Sequence, residues 1–399
     1  MSLPRFIQIH TLHAYPSSLL NRDDTGSAKR LPLGNAVRTR ISSQCLKRHW
    51  RVTEDKFSLS SLDVPMAVRS RTTLELISRR IQENGISPAL AQAAAEALRM
   101  AGLLDKGGKG KKGEEALKTG QAVLMGKPEI DYLVRRCTEL AQDNPDEKTL
   151  EAVICAALKD EKKNIEALKH GSGLESALFG RMVTSDILAS RSSSVSVAHS
   201  FTVHQAQVES DYFTVVDDLM QDAGETGSAG IFDTELTSGL YYGYVVVDIP
   251  QLVENLEGIS AKDCFANGTP AERRELAGRV VQHLLHLIAT VSPGAKRGST
   301  APFDWANFIL VEAGDWQPRS LAGAFHDALP LEDKMEQGTI RQRAATRIVQ
   351  EVSAMDDAYG APLTRRFLAL DDVEVPNAER ANLAKLGEWV SEIVRSGAC

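Results

Sequence analysis

Few side chains in this sequence are spaced for bond-making chemistry, and that scarcity is the first guide to function. His283 and His286 stand three apart, which on a helix puts both imidazoles on one face, as a metal would need. No acid or cysteine stands at a partner spacing, and their neighbours are Leu284, Leu285 and Leu287. The pair therefore reads as core or groove lining, and no metal or other cofactor is expected. Asp23 and Asp24 are adjacent carboxylates beside Arg22; such a pair can hold a divalent cation or move protons. Acids next to an arginine more often orient it, and that is the reading favoured here. Tyr212 and Phe213 offer π-faces that suit any base, or they simply pack in a strand. The Lys/Gly run at 106–113 lacks the Lys-Ser/Thr ending of a phosphate-binding loop and reads as a flexible, solvated loop. Five cysteines with no C-x-x-C spacing predict neither a disulfide framework nor a cysteine zinc module. Nucleophile-elbow, zinc-protease, dinucleotide and deaminase motifs are all missing.

What remains is charge, and it is uneven. Residues 1–51 carry nine Lys and Arg against Asp23 and Asp24, a local excess of +7 in a chain whose net charge is −7. Residues 201–240 contain eight acids and no Lys or Arg. A basic end suits a polyanion and an acidic stretch a basic partner, whereas a basic coat over the whole surface is excluded.

These residues need elements to hold them. Phe6 to Leu12 alternates as a strand. Ser42-Ser43 caps a helix from about Gln44, on which Lys47 and Arg51 share one face and Leu46 and Trp50 another. A capped helix start beside two cations is suited to phosphate. Helices are expected at 72–83, from Pro88, at 129–143, 146–163 and 271–290. Strands are expected around 193–197, 212–216, 240–249 and 308–311, and a mostly helical C-terminal part follows. A helical block inserted among strands predicts an α+β fold. The stretch 280–295 is interrupted by Gln282, two histidines and Pro293, too polar to cross a bilayer; a soluble, cytoplasmic protein without membrane partners is expected.

Seven segments in order resemble one known family. They are FIQIHTL (Phe6 to Leu12), SxLNRDD (Ser18 to Asp24), VRTRISSQCLKR (Val37 to Arg48), GRMVTSD (Gly180 to Asp186), SVAHSFTVHQ (Ser196 to Gln205), DYFTVVDDL (Asp211 to Leu219) and SPGAKR (Ser292 to Arg297). Together they resemble CasC, the guide-RNA backbone subunit of type I-E CRISPR Cascade. Cys45 stands where that family commonly has serine, and the 106–113 loop is peculiar to this chain. The resemblance implies an RRM-like (ferredoxin-like) palm split over 1–58 and 176–399, helical fingers at 59–175 and a β-hairpin thumb within 190–235. It implies copies stacked head-to-tail along one crRNA, which is presented for pairing with target DNA. Other Cascade subunits (large, small, guide-end-binding and crRNA-processing) would be partners, in a non-enzymatic antiviral ribonucleoprotein. RNA-backbone contacts carry over to Arg22, Ser43, Gln44, Lys47, Arg51, Lys296 and Arg297. Base-spacing or wedging roles carry over to Arg181, Met182, His199, Tyr212 and Phe213. The competing reading is a guide-directed endoribonuclease using Asp23 or Asp24, as in type III relatives.

Overall fold

The computed structural model describes residues 3–101, 117–119, 122–160, 173–181, 191–216, 228–266, 268–332, 338–360 and 363–398. In chain order the strands are β1 (Phe6–Ser18), β2 (Arg30–Leu33), β3 (Ala36–Ile41), β4 (Ala67–Ser70), β5 (Val123–Gly126), β6 (Val195–Val197) and β7 (Ser200–Thr202). They continue as β8 (Gln207–Val216), β9 (Ser228–Asp248), β10 (Phe308–Gly314), β11 (Thr364–Ala369) and β12 (Ala378–Arg380). The helices are α1 (Ser43–Val52), α2 (Thr73–Glu83), α3 (Pro88–Met100), α4 (Lys127–Asp143), α5 (Glu147–Asp160) and α6 (Leu174–Phe179). After β9 come α7 (Ile249–Glu257), α8 (Glu275–Thr290), α9 (Arg297–Thr300), α10 (Ile340–Tyr359) and α11 (Leu383–Ser396). The fold is mixed α/β, in two compact units.

The first unit comprises 1–59, 196–247 and 278–399. Its sheet runs β12-β11-β10-β1-β9-β7-β3-β2, with β6 and β8 also paired to β9. β1 lies in the middle, antiparallel to β10 in the register Phe6↔Gly314 to Leu12↔Phe308. A central strand is covered on both faces, so even the polar residues of FIQIHTL are buried and must find partners. Gln8 Oε1 accepts from the Tyr244 hydroxyl and the Arg319 amide, each at 2.8 Å. His10 Nδ1 lies 2.8 Å from the Tyr242 hydroxyl, and its Nε2 lies 3.3 Å from Glu312. Burial opposes the charge on Glu312, yet the adjacent His10 and the hydrogen bonds from Arg319 hold its carboxyl below the usual carboxylate range. Leu12, Tyr242, Phe308, Leu310, Phe325 and Phe367 pack with Ile348 and Val352 of α10 into the main core.

The second unit comprises 60–195 and 248–277, and residues 60–175 of the expected helical block lie in it. In α3, Ala91, Ala94 and Ala95 are fully buried beside Leu98, and α2, α4 and α5 bring Leu74, Ile77, Ile130, Leu133, Leu150 and Ile154 against them. Small residues let helix axes approach closely, which is what the alanine-rich face of α3 does. Ser87 accepts a hydrogen bond from the Leu90 amide at the start of α3, and Pro88 occupies the first turn.

Three local features complete the fold. Before α1, β2 and β3 pair antiparallel, and Arg38 of β3 is buried rather than solvated. The C-terminal part holds β11 and β12 as well as helices; Arg365 sits in the sheet interior because Glu312 and Asp356 neutralise it. The last helix, α11, is capped by Asn382 at its start and closed by Gly397.

Candidate nucleic-acid interface

Helix α1 begins as the sequence requires. Ser42 is its N-cap, with its hydroxyl accepting from the Cys45 amide at 3.3 Å, and the Ser42 amide donates to Asn21 Oδ1 at 2.9 Å. The first turn contains no acid, so the positive end of the helix is not neutralised locally. Leu46 packs against Tyr15, Leu20, Ile41 and Tyr241, and Trp50 is buried. Burying a large apolar side chain stabilises by roughly 1.5–3 kcal/mol, enough to fix which face points inward. Gln44 is exposed, and Ser43, Lys47 and Arg51 are half-buried.

Two loops complete the surface. The Ala295 amide donates to the Leu19 carbonyl at 2.8 Å, docking the SPGAKR loop against the end of β1. Gly294 is needed there, since a Cβ would come within 2.8 Å of Pro302. The loop at 20–26, Cys45 and His49 of α1, and Gly294-Ala295 together enclose a groove of about 600 Å³. Burial lowers the pKa of His49, and the charges of Arg297 and Arg48 lower it further; burial likewise raises that of the Cys45 thiol. Arg297 donates to the Ser292 carbonyl at 2.6 Å. Lys296 turns to an adjoining groove, where its ammonium donates to Thr234 Oγ1 at 2.5 Å and lies 5.4 Å from the Phe213 ring centre. Arg22 lines both grooves.

Asp23 and Asp24 line the first groove too, but Asp23 does not orient Arg22. One Asp23 oxygen accepts from the Thr25 hydroxyl at 2.8 Å and from the Thr25 and Ser27 amides at 3.0 Å each. The Thr25 hydroxyl bond and these amides lower its pKa, so the carboxylate is engaged as the clasp of its own loop. Among the described residues no group of three His, Cys, Asp or Glu could hold a metal ion. His286 stacks on Phe57, ring centres 3.6 Å apart, and His283 Nδ1 lies 3.3 Å from the Ser58 carbonyl oxygen.

The basic end is less cationic at its surface than its residue count. Arg38 is fully buried and donates to the carbonyls of Thr202, Phe325 and His326. Arg30 pairs with Glu235 at 2.5 Å. Arg40 donates to the Arg30 carbonyl, and its Nη1 lies 2.8 Å from His199 Nδ1. Burial and the positive charges of Arg40 and Lys29 lower the His199 pKa, and this exposed imidazole sits inside a basic cluster.

On the β8–β9 hairpin, Tyr212 faces Asp233 and Phe213 faces Phe232 in register. Neighbours in a strand point to opposite faces, so the two aromatics do not form one wedge. Phe213 stacks on Phe232, centres 5.5 Å apart, on the side of Lys296. Tyr212 is 63% exposed. Phe232 was not read from the sequence; its signal is the hairpin register, which needs the fold.

Arg181, expected to space or wedge bases, lies in the second unit. Its guanidinium is buried and bonds Glu129 at 2.6 and 2.8 Å, each side chain only 2% exposed. Glu129 in turn accepts from the Gly126 amide at the start of α4. So enclosed, the side chain ties its segment to the start of α4. Met182, the 106–113 loop and Asp217, Asp218 and Asp222 lie outside the described residues.

No curated protein matches this sequence. Among solved structures, a chain of a "CRISPR RNA-guided surveillance complex, pre-nicking" superimposes with a TM-score of 0.77 at 25% identity, covering 97% of this chain and 100% of that one. A chain of a second "CRISPR RNA-guided surveillance complex" gives 0.66 at 22% identity, covering 97% of this chain and 99% of that one, and supports the fold. The profile of the family described as "CT1975-like protein" matches residues 7–394, nearly the whole chain, and the chain therefore belongs to that family.

Proposed function

We propose that this chain is the crRNA-binding backbone subunit of a type I-E Cascade surveillance complex. The observation that carries the reading is the groove between the 20–26 loop, α1 and the SPGAKR loop. There Arg22, from the 20–26 loop, and Arg297, whose charge is felt at His49, meet the Cys45/His49 side of α1, three segments far apart in sequence; Lys47 and Arg51 add charge from another face of the same helix. Such an array binds sugar-phosphate without reading bases, which leaves the guide free to pair with target DNA. Ser43 and Gln44 supply amides and side chains to the same strand. Lys296 and Phe213 flank it in the adjoining groove, with His199 and Tyr212 spacing bases further along. The palm, fingers and thumb then correspond to 1–58 with 176–399, 59–175 and 190–235. Copies add head-to-tail along one guide in the cytoplasm beside the other Cascade subunits, and the subunit itself does no chemistry.

The test is co-expression with a CRISPR array and the remaining subunits, followed by sequencing of RNA that co-purifies. Repeat-derived guides protected in full support the proposal; a chain that assembles without RNA, or with arbitrary RNA, overturns it. Endoribonuclease chemistry at Asp23 is disfavoured because its carboxylate already serves its own turn.

A further inference from the structure

The loop that follows Lys296 and Arg297 carries two aromatic side chains that the function above does not use. Phe303 and Trp305 are each 72% exposed, the most exposed of the large hydrophobic residues in the described chain. Two such rings two residues apart on one short loop concentrate exposed apolar surface where single exposed side chains would carry no meaning.

The display is held rigidly. Between the two rings, Asp304 turns inward: its Oδ2 accepts from the Ala14 amide at 2.8 Å and lies 3.6 Å from His13 Nδ1. Its amide donates to the Ser292 hydroxyl at 2.9 Å. The Ala306 amide donates to the Ala289 carbonyl and the Asn307 amide to the Leu12 carbonyl, each at 2.8 Å. The inward turn leaves the Asp304 carboxylate only 20% exposed. Arg297 lies over the Phe303 ring, 5.9 Å from its centre, so a cation and an aromatic face already adjoin on this loop.

We propose that Phe303 and Trp305 form a stacking platform for unpaired nucleobases at the rim of the cationic groove. A strand whose phosphates are held by Lys296 and Arg297 presents its next bases within reach of this loop. Alternating cations and open aromatic rings is how single strands are bound without sequence preference. A protein partner would be expected to meet a patch not flanked by the groove's cations. The inference rests on the RNA-binding reading above.

The test uses the full chain with single-stranded RNA of mixed sequence and with an abasic ribose-phosphate strand of equal length. Wild type is expected to bind the base-containing strand about tenfold or more tightly than the abasic one, given typical stacking contributions. Phe303→Ala with Trp305→Ala should remove that difference and leave the salt slope unchanged, while Trp305→Phe should restore most of it. If wild type binds neither strand, the RNA-binding reading itself fails. If wild type binds RNA but the double alanine variant discriminates the two strands as well as wild type, the platform is refuted. It is also refuted if the variant binds RNA normally and loses only assembly between copies, because the rings then face protein.

Discussion

Arg181→Met separates a structural tie from an RNA contact. The substitution keeps the apolar stem and removes the guanidinium, leaving Glu129 buried at 2% exposure with only the Gly126 amide among its bonds described above. Removing one partner of a buried ion pair costs about 3–5 kcal/mol, because the other charge is stranded. Here the low end is expected, since Arg191 is close enough for its own charge to be influenced by both Arg181 and Glu129. A loss of about 3 kcal/mol lowers amide protection by about two decades. Hydrogen-exchange mass spectrometry should show that loss in peptides covering 126–134 and 174–181. All four tryptophans (Trp50, Trp305, Trp316, Trp389) lie in the first unit, so their fluorescence provides a separate reporter that should change less. Adding Glu129→Gln to Arg181→Met removes the stranded charge and keeps an acceptor for Gly126, so the double variant should be more protected than Arg181→Met alone. The reasoning fails if Arg181→Met leaves exchange unchanged and weakens guide-RNA binding instead.

Helix α1 makes a salt prediction: Lys47→Ala with Arg51→Ala should weaken RNA binding equally for all sequences. It should also lower the log–log salt slope by about 1.4, at roughly 0.7 per phosphate contact; an unchanged slope in titrations from low to high salt would count against it. Asp23→Ala should loosen the 23–27 turn, and neither it nor wild type should cut guide-complementary RNA with magnesium; product that disappears in the variant would promote the nuclease reading. His10 is buried, which lowers its pKa although Glu312 opposes the shift. Below about pH 6.5 the unfolded chain therefore takes up a proton that the folded chain resists, and stability falls as pH drops from 7 to 5 by up to about 1.4 kcal/mol per pH unit for one such proton. His10→Gln should flatten that dependence in denaturation curves; an equal slope would refute the assignment. Asp217→Lys with Asp218→Lys, in the acidic stretch, should shorten assemblies on guide RNA at low salt while the monomer stays folded; full assembly at every salt concentration would show those acids to be merely solvated.

Helix α1 was legible because its rules are local: a serine cap, an inward Leu46/Trp50 face and cations four apart all lie within ten residues. Strand β1 was legible in its alternation, but its polar face was not, since Gln8 and His10 are satisfied by Tyr244, Arg319 and Tyr242, far along the chain. Arg38 and Arg365 read as surface charge for the same reason. Nothing near either residue announces the carbonyls of Phe325 and His326 or the carboxylates of Glu312 and Asp356. Arg181 is held by Glu129, 52 positions away. The separation of Tyr212 from Phe213, by contrast, follows from the two-residue period of a strand and needed no structure.

Local net charge is therefore a poor guide to where a polyanion binds, because a cation already used by the fold cannot attract one strongly. Arg30, Arg38 and Arg40 are engaged with Glu235, three backbone carbonyls and the Arg30 carbonyl respectively. What distinguishes the groove is convergence: the turn clasped by Asp23, the loop docked through Ala295 and the Cys45/His49 side of α1 meet there, with Arg22 in the lining and Arg297 close enough to act on His49. The same logic reconciles an acidic hairpin with nucleic acid. Glu235 is taken up by Arg30 and the Ala28 amide, and the ring that reaches Lys296 is uncharged Phe213. Repulsion depends on which charges remain unpaired and where they point, so a chain of net charge −7 can hold RNA along one cationic path.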